Sequence, residues 1–134
     1  MPPFSTEISE FKGNPMLVVL CNGQPWGTTY PTDPKFQFGK KRARMILAIR
    51  DLLDQFNRTE GQNADQVRHE IPSIPGLAEP LKIQGFAGFT NPNGHFIGQP
   101  YLQLEAGRTR LGIGVTKAQA LLHVWKDIEA FINS

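Results

Sequence analysis

One pattern occurs twice in this chain of 134 residues, and it limits the available folds more than any other feature. Phe36-Gln37-Phe38-Gly39-Lys40-Lys41-Arg42-Ala43 aligns with Leu111-Gly112-Ile113-Gly114-Val115-Thr116-Lys117-Ala118. Both segments read apolar-x-apolar-Gly, three residues, Ala, and then an apolar helical stripe. The register runs on without a gap and matches Leu53 with Ile128 and Phe56 with Phe131. Upstream, Gly13-Asn14-Pro15-Met16-Leu17-Val18-Val19-Leu20 is echoed by Gly98-Gln99-Pro100-Tyr101-Leu102-Gln103-Leu104. Either echo alone is within reach of chance. Both in the same order point to duplication of a strand-then-helix unit.

The local signals agree. In the second copy, 81–89 alternates and Asn91-Pro92-Asn93-Gly94 is a turn. The next strand, 96–104, sets Tyr101 and Gln103 on one side and Leu102 and Leu104 on the other. After a turn at Ala106-Gly107, the strand 108–113 opposes Thr109, Leu111 and Ile113 to Arg108 and Arg110. Thr116, with Gln119 three residues on, reads as a capping box. Ala118, Leu121, Val124, Trp125, Ile128 and Phe131 form the apolar stripe of the helix that follows. The first copy repeats the plan with strands at 6–11, 16–21, 27–30 and 35–38, and turns at Lys12-Gly13-Asn14 and Asn22-Gly23. Its helix after Gly39 buries Ala43, Ile46, Ile49, Leu53 and Phe56.

These readings divide the chain into a first repeat at 1–57, a linker at 58–80 with one helical turn near 64–69, and a second repeat at 81–134. Each half is too short to bury an adequate core alone. The expected architecture is therefore α+β, with two tandem antiparallel β-meander-plus-helix repeats packed as an intramolecular pseudo-dimer, helices covering one face.

Composition narrows the function. Residues of the apolar classes make up 40% of the chain, enough for a folded domain. The single cysteine, Cys21, excludes a disulfide framework within the chain and a cysteine-rich zinc site. No apolar run reaches the length of a membrane span, and the N-terminus lacks the basic start and apolar stretch of a signal peptide. The expected setting is intracellular: cytoplasmic, or nuclear in a eukaryotic or viral context. His69, His95 and His123 have no spacing that gathers them around a metal, and Gly107, Gly112 and Gly114 do not form a dinucleotide fingerprint. With no nucleophile–base set and no paired carboxylates, the reading is a protein that is not an enzyme and needs no cofactor or metal.

Charge is the remaining signal. The net charge is only +2, yet no acid lies between Asp33 and Asp51, while Lys35, Lys40, Lys41, Arg42, Arg44 and Arg50 fall there. Cations at a helix start oppose the helix dipole, each at about 0.3–1 kcal/mol. A phosphate at that place reverses the sign by accepting backbone N–H groups and neutralising the side chains. Trp26 and Tyr30, in a Gly/Pro-rich stretch without a matched core position, are the candidate exposed aromatics for stacking bases. Phe36 and Phe38 alternate with Gln37 and match Leu111 and Ile113, which reads as core.

The strands leading into Leu111-Gly112-Ile113-Gly114-Val115-Thr116-Lys117-Ala118 and its helix resemble the final strand and helix of the Whirly and positive-cofactor-four proteins, which bind single-stranded DNA. The tandem plan is similar to the Pur repeats. The resemblance implies single strands lying across an exposed antiparallel sheet, and by position it implicates Tyr101, Gln103, Arg108 and Arg110. Lys12-Gly13-Asn14-Pro15 matches part of a Lys-Gly-Asn-Lys binding signature. The expected partner is a single-stranded nucleic acid, DNA favoured, in a transcription or replication role, with a homo-oligomer as a further expectation. The alternative is a protein–protein interaction or assembly module, in which the basic segment meets an acidic partner.

Overall fold

The computed structural model describes residues 4–25, 36–62, 64–87, 89–90, 96–98 and 100–134. The chain opens with a long hairpin, β1 (Phe4–Phe11) and β2 (Asn14–Cys21), paired antiparallel without a bulge from Phe4↔Cys21 to Phe11↔Asn14. Its two-residue turn is made by Lys12 (φ 51°) and Gly13 (φ 82°), the doubly left-handed geometry that suits a twisted hairpin. On the other side of β2 lie β3 (Gln24–Pro25) and β4 (Gln37–Phe38), the latter pairing Phe38 with Leu17. Helices α1 (Lys40–Leu47) and α2 (Arg50–Arg58) follow.

The stretch 58–80, read as a linker, carries a 3₁₀ turn (Ala64–Gln66) and a strand, β5 (Arg68–Ile71). Strand β5 pairs with β6 (Leu81–Phe86), beyond which β7 (Phe89–Thr90) and β8 (Phe96–Gly98) form a small ribbon. Strands β9 (Tyr101–Ala106) and β10 (Thr109–Gly114) complete a second antiparallel sheet in the order β10-β9-β6-β5. The chain then enters α3 (Val115–His123) and α4 (Trp125–Ile132). The fold is α+β, built on two four-stranded antiparallel sheets and four helices among the described residues. None of these helices is long and apolar enough to cross a membrane.

Two departures from the sequence reading concern the helices. Each expected single helix is broken, at Ala48-Ile49 and at Val124, where Ile49 (φ −120°, ψ 29°) and Val124 (φ −102°, ψ 20°) leave helical geometry. Both residues stay buried, so the break turns the axis without interrupting the apolar stripe. Packing uses that turn, because α1 lies against α4 and α2 against α3. The second departure is the cap. Helix α3 starts at Val115 behind an extended Gly114, so Thr116 lies inside the first turn and caps nothing. One cluster of buried residues joins both sheets and all four helices, from Leu17, Phe38, Ile46 and Leu53 to Ile83, Leu104, Ile113, Leu121 and Ile128. Each such side chain contributes roughly 1.5–3 kcal/mol by leaving water.

Local geometry is alike at the two helix starts, Gly39 and Gly114, which lie 75 residues apart in the chain. The residues preceding the two helix pairs share one conformation, Gly39 at φ −85°, ψ −173° and Gly114 at φ −82°, ψ 179°. A methyl built on either would lie 3.9 Å from a proline carbonyl oxygen, that of Pro15 or of Pro100. The cross-strand rows Ile8–Leu17–Phe38 and Gly85–Leu102–Ile113 hold corresponding places in the two sheets. Arg50 and Trp125, which open α2 and α4, meet each other, the guanidinium 4.9 Å from the ring centroid.

Candidate functional site

The basic segment begins α1. Gly39 offers no side-chain cap and the first turn contains no acid, so the helix presents its N–H groups beside three cations. Each cation reaches toward the second half of the chain. Lys40 Nζ donates to the main-chain oxygen of Ser134 at 2.7 Å, two residues past the end of α4. Arg42 Nε donates to the carbonyl of Arg110 at 3.1 Å, on the edge strand β10. Lys41 Nζ lies 3.4 Å from Glu79 Oε2, with the two side chains 43% and 42% exposed. Arg44 lies one turn along, over Gly76, whose positive φ of 86° and missing side chain leave room for the guanidinium.

The Arg110 carbonyl accepts a hydrogen bond but carries no net charge, so Arg42 is held in place without being neutralised. Lys41 meets the Glu79 carboxylate across a half-exposed gap that is worth little in water. Glu79 also reaches the β9–β10 turn, where a methyl on Gly107 would stand 2.9 Å from its carboxyl. Exposed Arg108 is the other residue of that turn, and Arg110 follows two residues on, 3.8 Å from Glu105. Five cations (Lys40, Lys41, Arg42, Arg108 and Arg110) therefore share this seam with two acids, Glu79 and Glu105.

Beside the helix start runs a groove of about 370 Å³, lined by Phe11, Asn14, Pro15, Met16, Gly39, Lys40, Lys41 and Arg42. Phe11 is 56% exposed and Lys12 Nζ stands 5.4 Å from its ring centroid. The site thus combines an open aromatic face, uncapped N–H groups and cations. Phe11 was not among the residues singled out from the sequence, although strand parity marks it. Ile8 lies on the core side opposite Leu17, and a residue three places on along a strand faces the other way.

The outward face of the second sheet holds Tyr101 and Gln103, as the alternation required. Tyr101 stacks on Phe86, with centroids 4.9 Å apart and planes 18° from parallel. Gln103 pairs across to Gln84 on one side and to side-chain-free Gly112 on the other, giving a flat floor. The next cross-strand row alternates in charge: Arg110, Glu105, Lys82, Glu70. Tyr101 pairs with Gly114 at the start of α3, so it sits at the opposite end of β9 from Arg110. Trp26, Tyr30 and Lys35 lie outside the described residues. Among the described residues no three His, Cys, Asp or Glu gather as metal ligands. No protein-family model, curated protein or solved structure matches the chain.

Proposed function

We propose that this chain is a non-enzymatic, single-stranded nucleic-acid-binding protein, DNA favoured, in which a backbone phosphate sits at the start of α1 and a base stacks on Phe11. The groove between the hairpin tip and Gly39 carries this reading, because it joins an exposed ring to an uncapped helix start where Arg42 meets a neutral carbonyl. An unpaired strand suits it better than a duplex, since only unpaired bases expose their faces; each stacked base contributes about 1–3 kcal/mol. Arg108 and Arg110 extend the positive track along the seam. The stacked Tyr101–Phe86 pair offers a second platform on the other sheet.

The proposal includes the architecture: the halves at 1–57 and 81–134 are two copies of one unit, clasped about a pseudo-twofold axis. The exchange of contacts supports it. Under a shift of 75 residues (Arg42 to Lys117) the pair α1–α4 becomes α3–α2, and both pairs pack. Arg42 reaches β10 at Arg110, and its counterpart Lys117 places Nζ 5.0 Å from the ring centroid of Phe36, just ahead of β4. Arg50 and Trp125 touch as counterparts at such an axis must.

Fluorescence anisotropy of a labelled single-stranded oligonucleotide tests the function. The expected result is binding that weakens linearly in log–log form as salt rises, with the matching duplex bound more weakly. Absence of any anisotropy change at low salt overturns the reading.

A further inference from the structure

We infer that β1 is a self-pairing edge, joining the first sheets of two copies of this chain antiparallel with Ile8 on the twofold axis. Strand β1 ends its sheet in the order β1-β2-β3, and no described strand covers its outer side. Edge strands that stay single are normally guarded by proline, lysine, a bulge or a covering element. β1 reads Phe-Ser-Thr-Glu-Ile-Ser-Glu-Phe and pairs with β2 in unbroken register, so within it only Glu7 and Glu10 stand guard. Ile8 at its middle is 64% exposed.

Backbone polarity and charge together choose both partner and register. A two-residue turn at Lys12-Gly13 closes on Phe11 and Asn14, a pair that exchanges both hydrogen bonds. Odd-numbered residues of β1 therefore direct their backbone groups toward β2, and Thr6, Ile8 and Glu10 direct theirs outward. Outward groups of two copies meet only when paired residue numbers add to an even sum. Pairing Thr6 with Ile8 would set Glu7 against Glu7, pairing Glu10 with itself would oppose like charges directly, and pairing Ser9 or Thr6 with itself would shorten the overlap to about five residues. Pairing Ile8 with Ile8 sets Glu7 against Ser9 and Glu10 against Thr6, and it retains the long overlap from Ser5 to Phe11. In that register no acid lies directly opposite another, and the two isoleucines cover each other. Glu7 faces the Ser9 hydroxyl, and Glu10 faces Thr6, whose hydroxyl donates to Asp127 Oδ2 at 3.0 Å. A second copy is thus the occupant that this edge fits.

Sedimentation velocity of the full chain without nucleic acid is the first measurement, so its result is independent of the proposed function. A concentration-dependent dimer is expected, and Ile8→Lys, which puts two ammonium groups on the axis, should raise its dissociation constant about tenfold or more. The register is read by cross-linking in a Cys21→Ser background. Ile8→Cys should form a dimeric disulfide, since hydrogen-bonded partners lie about 5.5 Å apart between Cα atoms. Glu10→Cys should not, because four residues of offset separate its copies by roughly 14 Å. A monomer at every concentration overturns the proposal, as does a dimer unaffected by Ile8→Lys. Equal cross-linking at Ile8 and Glu10 overturns the register. Circular dichroism of each variant checks that this exposed strand still folds.

Discussion

Strands β1 and β6 hold corresponding places in the two sheets, yet β1 is open at its middle, past the residues Phe4 and Thr6 that meet His123 and Asp127, and β6 is sealed. Ile8 of β1 and Gly85 of β6 each pair with a buried leucine, Leu17 or Leu102, in a row that ends at the residue before a glycine and a helix. Over Gly85 the chain has laid the 3₁₀ turn at Ala64–Gln66, and the Gly85 amide donates to the Val67 carbonyl at 2.9 Å. Strand β5 then covers the outer side of β6. Ile8 has no such cover and lies mostly in water. The core needs the leucine in each row and is indifferent to its partner, so that partner position is free to serve something else: a seal in one half, an open edge in the other.

The sharpest way to break this comparison is to give Gly85 a side chain. A methyl built there collides with the Ala64 carbonyl oxygen, which is backbone and cannot swing aside. Gly85→Ala should therefore lower stability by about 3 kcal/mol, the upper range for overpacking. Ile8→Ala, at the matched position, should change monomer stability by less than about 0.5 kcal/mol. Chemical denaturation of both variants measures the contrast. Equal losses would mean that the two strands are covered alike.

The two helix starts give a second contrast. Gly39 and Gly114 share backbone conformation and lack of a side-chain cap, but Lys40-Lys41-Arg42 stands where the other helix has Val115-Thr116-Lys117. A helix of this fold begins without the charges, so their concentration at one start is the part that folding does not explain. Arg42→Ala should weaken single-strand binding several-fold at low salt and reduce the salt slope by about one, evenly across sequences. Lys117→Ala, its counterpart, should leave affinity unchanged while losing its contact with the Phe36 ring. A smaller effect is expected where the helix pairs meet: Arg50→Ala removes the contact over Trp125 and should lower stability by about 0.5–1 kcal/mol by thermal or chemical unfolding.

Much of the α+β fold is legible in the sequence, because turns and buried stripes are local chemistry. Lys12-Gly13 and Asn22-Gly23 adopt the positive φ values that hairpin turns ask of such pairs, and Ala43, Ile46, Ile49, Leu53 and Phe56 are buried. Strand β5 is not legible, since Arg-His-Glu-Ile shows no apolar alternation and is a strand only because β6 pairs with it. The helix breaks at Ile49 and Val124 are equally hidden, as periodicity sees a buried β-branched residue and not its ψ angle. For the site, the cationic segment was readable, whereas its fastening by Lys40 to Ser134 and by Arg42 to Arg110 spans the whole chain. Phe11 was within reach through parity, had its face been traced from Ile8.

Thr116 provides the finest test, because its role by sequence and its place in the fold assign it different energies. As an N-cap in a box with Gln119 its hydroxyl would satisfy first-turn amides, and Thr→Ala would cost about 1 kcal/mol. In the fold Gly114 holds the cap position in extended geometry, Val115 and Thr116 are already helical, and no side chain caps the turn. A threonine there supplies no hydrogen bond to the helix start and carries the penalty of a β-branched side chain in a helix, a few tenths of a kcal/mol relative to alanine. Thr116→Ala should therefore leave stability unchanged or raise it slightly in a denaturant titration read at constant m. A loss near 1 kcal/mol would show that the hydroxyl caps the helix after all, and would remove the identity of the two starts on which the comparison of their charges rests.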